Sequence, residues 1–172
     1  LSRHHDSEDE VWIKIHKVGS GLPSITPKQA IDVVLCWGWI DAIRKSYDGL
    51  SFVQRFTPRK PRSIWSQVNR NRVIALIEAG AMMSAGLAAV EVAKANGEWD
   101  RAYSPGSTIT EPKDLLAALR KSPAAKAFYK TLNAQNRFAI LHRLERSAKP
   151  ETRSKRLAQF VKMLERGERI HP

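Results

Sequence analysis

The densest chemistry in this sequence lies between Arg55 and Ser66, which reads Arg-Phe-Thr-Pro-Arg-Lys-Pro-Arg-Ser-Ile-Trp-Ser. Four cations, two aromatic rings and three hydroxyls share a backbone stiffened at Pro58 and Pro61. Arginine forks onto carboxylate or phosphate oxygens, and prolines reduce the entropy lost when such a segment is ordered. Ser63 or Ser66 is placed to cap a following helix, whose N-terminus itself favours an anion. The segment therefore reads as an anion- or partner-binding loop built from Arg55, Arg59, Lys60, Arg62, Ser63 and Ser66, with Trp65 as a candidate stacking platform. The competing reading is a solvated connector whose arginines pair with surface acids.

The helix expected next extends the candidate site. At 100° per residue, Val68, Val73, Leu76 and Ile77 define an inner face, and Asn69 and Arg72 fall within it. A buried polar group without a partner costs about 1–3 kcal/mol and an unpaired charge more, so both need partners. Either they join Arg55 and Arg59 around an anion pocket, as in an enzyme or a small-ligand sensor, or they tie the helix to the preceding loop or the sheet. In the favoured, structural version Asp41 pairs with Arg72. Arg137 repeats the pattern near the centre of an apolar arc of Phe138, Ile140, Leu141 and Leu144, and should meet a carboxylate or a backbone carbonyl.

These arginines belong to a wider excess. The 172-residue chain has 29 Lys and Arg against 17 Asp and Glu, a net charge of +12. Residues 1–119 carry 15 basic and 13 acidic side chains, whereas residues 120–172 carry 14 and 4. Between Gly49 and Ile77 there are six cations and no acid. The charge thus sits in two regions, and an anionic partner (nucleic acid, a lipid surface or an acidic protein) is expected. In the second region the last helix turns Leu157, Phe160, Val161 and Leu164 inward. Arg153, Lys155, Arg156, Lys162 and Arg166 then point outward or to its margins. Such a helix can follow phosphates, rest on an anionic membrane, or simply pack on its own domain.

Other chemistry is sparse. His4, His5, His16, His142 and His171 form no metal-ligand spacing, and no nucleophile elbow, phosphate-binding loop or dinucleotide fingerprint occurs. Cys36 is alone, so no disulfide can form within the chain, and its apolar neighbours mark it as a buried small hydrophobe. No catalytic residue, metal or cofactor is expected, and a binding role is preferred to an enzymatic one. No apolar run approaches the ~18 residues of a membrane-spanning helix. The expected location is cytoplasmic, or periplasmic if a signal peptide precedes Leu1.

The elements that position these residues follow from periodicity and punctuation. Residues 11–18 alternate as a half-buried strand. Thr26-Pro27 opens a helix to about Trp37, Gly38 stops it, and Asp48-Gly49 joins two strands over 39–47 and 51–57. From Ser66 onward six helices are expected, over 66–79, 84–96, 113–119, 123–131, 134–147 and 151–166. The fold class is α+β: a small β-α-β-β sheet, then a mostly helical remainder. The domain reading is a sheet unit with two helices over 1–103, a Pro/Gly/Ser/Thr-rich linker over 104–112, and a basic helical region over 113–172.

Several blocks together resemble the YdeI/OmpD-associated, or bacteriocin-protection (OmdA-like), family. They are Ser24-Ile-Thr, Ala30-Ile-Asp and Leu35-Cys-Trp-Gly-Trp-Ile-Asp41, then Arg55–Ser66, Asn69, Arg72-Val73, Leu76–Gly80, Met83 and Gly86-Leu87-Ala88, with Asn136-Arg137 and Lys149–Arg153 in the tail. Trp37 stands where the resemblance leads one to expect Phe. The resemblance implies protection against bacteriocins or other antimicrobial peptides, as in a stress response, and association with an outer-membrane porin. It carries no catalytic residues over. Because most such peptides are cationic, a protein of charge +12 would repel them, and competition for an anionic partner fits the charge better than a sponge.

Overall fold

Val11–His16 form β1, Trp39–Ser46 β2 and Ser51–Pro58 β3 of one antiparallel sheet, in the order β1-β3-β2. The computed structural model describes all 172 residues. The β2–β3 hairpin closes at Asp48, whose carboxylate accepts from the Leu50 N–H at 2.9 Å and the Ser51 hydroxyl at 2.7 Å. Between β1 and β2 runs α1, Pro27–Cys36, opened by a capping box between Thr26 and Gln29. Gly38, at φ +74°, turns the chain from α1 into β2.

The helix α1 packs in two directions. Ala30 and Val34 join Ile15, Trp39 and Phe56 under the sheet. Leu35 faces the other way, into a cluster with Trp65, Val73, Val90 and Ala93, and Ile31 touches both clusters. The second cluster is supplied by α2, Gln67–Glu78, and α3, Ser84–Ala95. The inward face of α2 is narrower than periodicity predicts. Val73 is buried and Leu76 packs on the cluster, but Val68 and Ile77 are 42% and 40% exposed. At the start of α3, Met83 N–H donates to the last carbonyl of α1, Cys36 O, at 3.0 Å. Gly86 lies against that same carbonyl, where an added Cβ would come within 2.1 Å.

Four further helices follow: α4, Lys113–Lys121; α5, Pro123–Thr131; α6, Ala134–Glu145; and α7, Pro150–Glu165. Their core joins Leu115, Leu119, Tyr129, Ile140, Leu144 and Leu164. By internal packing the chain divides into two compact units, Leu1–Ala102 and Tyr103–Pro172. Residues 104–112 lie in the second, where Ser104 donates from both N–H and hydroxyl to Glu145 and Ile109 packs on the core. A three-stranded antiparallel sheet followed by mostly helical chain is the α+β class expected from the sequence.

Candidate functional site

The loop after β3 is held at both ends by its own chemistry. Arg59 N–H donates to Gly38 O at 3.0 Å, fixing the loop to the α1–β2 junction. The Ser63 hydroxyl accepts from Lys60 N–H at 2.9 Å and closes the turn centred on Pro61 and Arg62. Ser66, not Ser63, is the N-cap of α2 and accepts from Asn69 N–H at 3.1 Å. Asn96 Nδ2 donates to Pro61 O at 2.6 Å, so the outer part of the loop is also anchored to the end of α3.

Trp65 is not a stacking platform for a base. It is 3% exposed, with its ring edge-on to Trp99 at 4.9 Å and the Arg59 guanidinium over it at 3.6 Å. The ring position is filled by the protein's own cation. Arg59 also donates to Ile64 O, and Arg55 pairs with Glu10, which precedes β1. That pairing follows from the register, since Arg55 lies opposite Trp12 in β1. Lys60 and Arg62 differ from both arginines: they are exposed, and no acid pairs with either side chain.

Two concavities meet this loop. An open groove of about 760 Å3 is lined by Arg55, Thr57, Arg59, Lys60 and Ser63, and by the acid Asp9. A smaller cleft of about 360 Å3 lies against Pro58–Pro61 as well. Its floor is alanine (Ala85, Ala88, Ala89), its walls include Trp37, Trp39 and Trp65, and His5 and Asp6 close one side. His5 is held there by its ring against Trp37 at 4.6 Å and by its carbonyl, which accepts from Trp39 Nε1 at 3.2 Å.

The structure gathers Arg55, Arg59, Lys60 and Ser63 at one groove but does not bring Asn69 and Arg72 to it. Arg72 turns to α1, where its Nη1 lies 3.6 Å from Asp32. The expected pair with Asp41 is therefore corrected: α2 packs on α1, so the acid within reach is on that helix and not on β2. Arg70 is likewise used inside the unit, donating to Trp99 O. The pocket of Arg55, Arg59, Asn69 and Arg72 does not assemble.

The basic face expected for α7 is corrected in the same way. Arg153 turns inward, forks onto both oxygens of Asp114 at 2.6 and 2.9 Å, and donates to Leu144 O at 2.6 Å. Arg156 donates to Arg143 O at 2.7 Å and to the Ser147 hydroxyl at 2.9 Å. Both arginines thus add a charged donor to carbonyls of the last turn of α6, which also accept from Ser147: Leu144 O from its N–H at 3.0 Å and Arg143 O from its hydroxyl at 2.7 Å. The Arg153 guanidinium holds the Asp114 carboxyl below the usual carboxylate range. Arg166 forks onto Glu168 at the surface, which leaves Lys155 and Lys162 as the exposed cations of the five that carry no acidic partner. Arg137 meets a carbonyl, as its position required: its Nη2 donates to Lys130 O at 2.6 Å.

No group of His, Cys, Asp and Glu side chains stands close enough to hold a metal ion. Cys36 is buried, and burial pushes its thiol up, with the Asp32 charge adding to the shift. The alanine-floored cleft went unread in the sequence, although the small-residue run Ala85-Gly86-Leu87-Ala88-Ala89 signals close approach on one helix face.

Two family models match. The model described as a domain of unknown function (DUF8412) matches residues 1–89, just over half of the chain. The model described as "Bacteriocin-protection, YdeI or OmpD-Associated" matches residues 108–167. The resemblance seen in the sequence is thus met in the helical part, which includes Asn136-Arg137 and Lys149–Arg153, while the blocks over 24–41 and 55–88 fall in the first match. No curated protein and no solved structure matches. The chain belongs to the family of that domain of unknown function, and its residues 108–167 carry the match to the bacteriocin-protection, YdeI or OmpD-associated family.

Proposed function

We propose that the protein is a binding protein of antimicrobial-peptide protection, and that it engages an acidic protein surface through the lip at Lys60 and Arg62. The observation that carries this reading is the state of those two side chains. They stand exposed beside a groove, on either side of Pro61 and on an anchored turn, with no acid of their own, whereas the neighbouring Arg55 and Arg59 are already engaged. A rigid cationic lip loses little entropy on docking and is steered by an acidic partner. An acidic protein is favoured over single-stranded nucleic acid because the one aromatic ring in the loop suited to stacking, Trp65, is covered. The name of the family matched by residues 108–167 points the same way, toward association with a porin.

The test is binding of the full chain to a purified outer-membrane porin and, separately, to a single-stranded oligonucleotide. Wild type is compared with the Lys60→Glu/Arg62→Glu variant at about 50 and about 200 mM salt. Porin binding that is lost in the variant and weakened by salt is the expected result. Oligonucleotide binding without porin binding overturns the choice of partner, and porin binding unchanged in the variant overturns the choice of surface. Cells expressing the variant should also lose whatever survival advantage the wild-type chain gives against a cationic antimicrobial peptide.

A further inference from the structure

The C-terminal unit holds a separate cleft of about 350 Å3 where α4, α5 and α6 meet. Its apolar surface is built from Leu119 and Tyr129, both core residues, and from Leu116, which is 40% exposed although it is large and aliphatic. Around this surface stand Arg120 from α4, Lys126 and Lys130 from α5, and Arg137 from α6. None of these four cations has a carboxylate partner. The one acid at the cleft, Glu111, accepts from the Tyr129 hydroxyl at 3.3 Å. Arg137 is bound through Nη2 to Lys130 O and lies 5.7 Å from the Tyr129 ring, but its Nε is sheltered from solvent and has no acceptor.

An apolar floor ringed by unpaired cations defines its ligand by complementarity: an apolar body carrying a negative charge. The volume limits the size. At roughly 30 Å3 per water-sized group the cleft takes about a dozen non-hydrogen atoms, fewer than a two-chain lipid or a nucleotide oligomer. The helix ends limit the charge. Arg120 and Lys130 lie in the last turns of α4 and α5, where the helix dipole is negative. A phosphate dianion is better served at a helix N-terminus, so a singly charged carboxylate is the better fit here.

We propose that this cleft binds a small amphipathic carboxylate, with its aryl or acyl body on Leu116, Leu119 and the Tyr129 ring and its carboxylate among Arg120, Lys126 and Arg137. The site is distinct in residues and in chemistry from the lip at Lys60 and Arg62. Either proposal can therefore fail without the other.

The probe is phenylbutyrate, titrated calorimetrically into the full chain, with phenylbutanol as the uncharged analogue and butyrate as the one without a ring. Loss of the charge-assisted hydrogen bonds makes phenylbutanol, and loss of the ring's apolar burial makes butyrate, bind about tenfold or more weakly than phenylbutyrate. The Arg120→Gln/Lys126→Gln variant should lose about tenfold for phenylbutyrate and little for phenylbutanol. Both residues are exposed and unpaired, so this variant keeps the fold, which circular dichroism checks. Methyl resonances of Leu116 and Leu119 should shift on titration. The proposal is overturned by absence of saturable binding, by equal affinity for acid and alcohol, by an unaffected double variant, or by shifts confined to residues 1–102.

Discussion

The two units join their elements by different means. In Leu1–Ala102 the joint of α1 to α3 and to the basic loop is backbone against backbone: the last carbonyl of α1 receives Met83 N–H and packs on Gly86, while Arg59 N–H reaches Gly38 O. In Tyr103–Pro172 it is arginine against backbone: Arg153 and Arg156 of α7 cap the carbonyls at the end of α6, and Arg137 caps Lys130 O on α5. A stretch of basic sequence therefore means different things in the two. Most arginines of the C-terminal excess act inside the fold, while in the basic loop of the N-terminal unit Lys60 and Arg62 are left for a partner. Net charge sets an upper bound on a binding surface, and the hydrogen-bond inventory says how much of it is available.

The strongest way to break this contrast is at the backbone joint. Alanine is the better helix former, so Gly86→Ala would stabilise α3 by about 1 kcal/mol if space allowed. It does not: the new Cβ would lie 2.1 Å from Cys36 O and 2.8 Å from the Met82 methyl. The first of these atoms is backbone and cannot rotate away, so α3 must shift off α1. A net loss of about 3 kcal/mol is expected by denaturant titration, followed at the Trp65–Trp99 pair. A neutral or stabilising result means that the close approach is not what joins α1 to α3.

Next comes the arginine joint. Arg153→Ala removes a forked contact to Asp114 and a bond to Leu144 O. The Asp114 side chain is 38% exposed, so solvent screens the ion pair, and Leu144 O keeps the Ser147 N–H as a donor, so the loss is that of charge-assisted hydrogen bonds and packing with no carbonyl left unpaired. About 1–2 kcal/mol is expected. Arg153→Lys should recover little, because one ammonium cannot fork onto a carboxylate and reach a carbonyl as the planar guanidinium does. Full rescue by lysine would show that charge, not geometry, is what α7 supplies.

The lip is the converse case. Lys60→Gln/Arg62→Gln removes two cations but no contact within the fold, so stability should stay within about 0.5 kcal/mol of wild type. A larger loss in a thermal melt would mean that these side chains are structural too, and the contrast between the units would fall.

What the sequence made legible was local. Thr26-Pro27, Ser66, Asp48-Gly49 and the glycine after α1 carry their own signals, because a cap or a turn is decided within four residues. The direction of a long cation is decided by what packs against it. Arg153 and Arg156 were placed at the margin of α7 by periodicity, and only the arrival of the α6 C-terminus turns them inward. Asp41 was the acid expected for Arg72, and the packing of α2 on α1 put Asp32 within its reach instead. Trp65 failed as a platform for the same reason, since the cation that stacks on it stands six residues earlier across a turn. The amphipathic cleft was also out of reach, because Leu116, Lys126 and Arg137 come from three helices whose docking no single periodicity encodes.

The smallest effect expected separates the units by pH. Asp48 is held down to about 2 by the Ser51 hydroxyl, then the Leu50 N–H and the Lys14 ammonium. Its folded value is below its ordinary one of 3.8, so the charged carboxylate stabilises the hairpin. That stabilisation is complete above pH 3.8 and disappears as pH falls to about 2. Asp48→Ala should therefore melt below wild type at neutral pH, and the two melting temperatures should converge toward pH 2. Hairpin amides such as Leu50 and Ser51 give the local readout, and they distinguish this loss from that at Asp114, where protonation frees Arg153 in the other unit. A gap between wild type and Asp48→Ala that persists unchanged at pH 2 would mean that the side chain acts by its shape and hydrogen bonding alone, with no part for its charge.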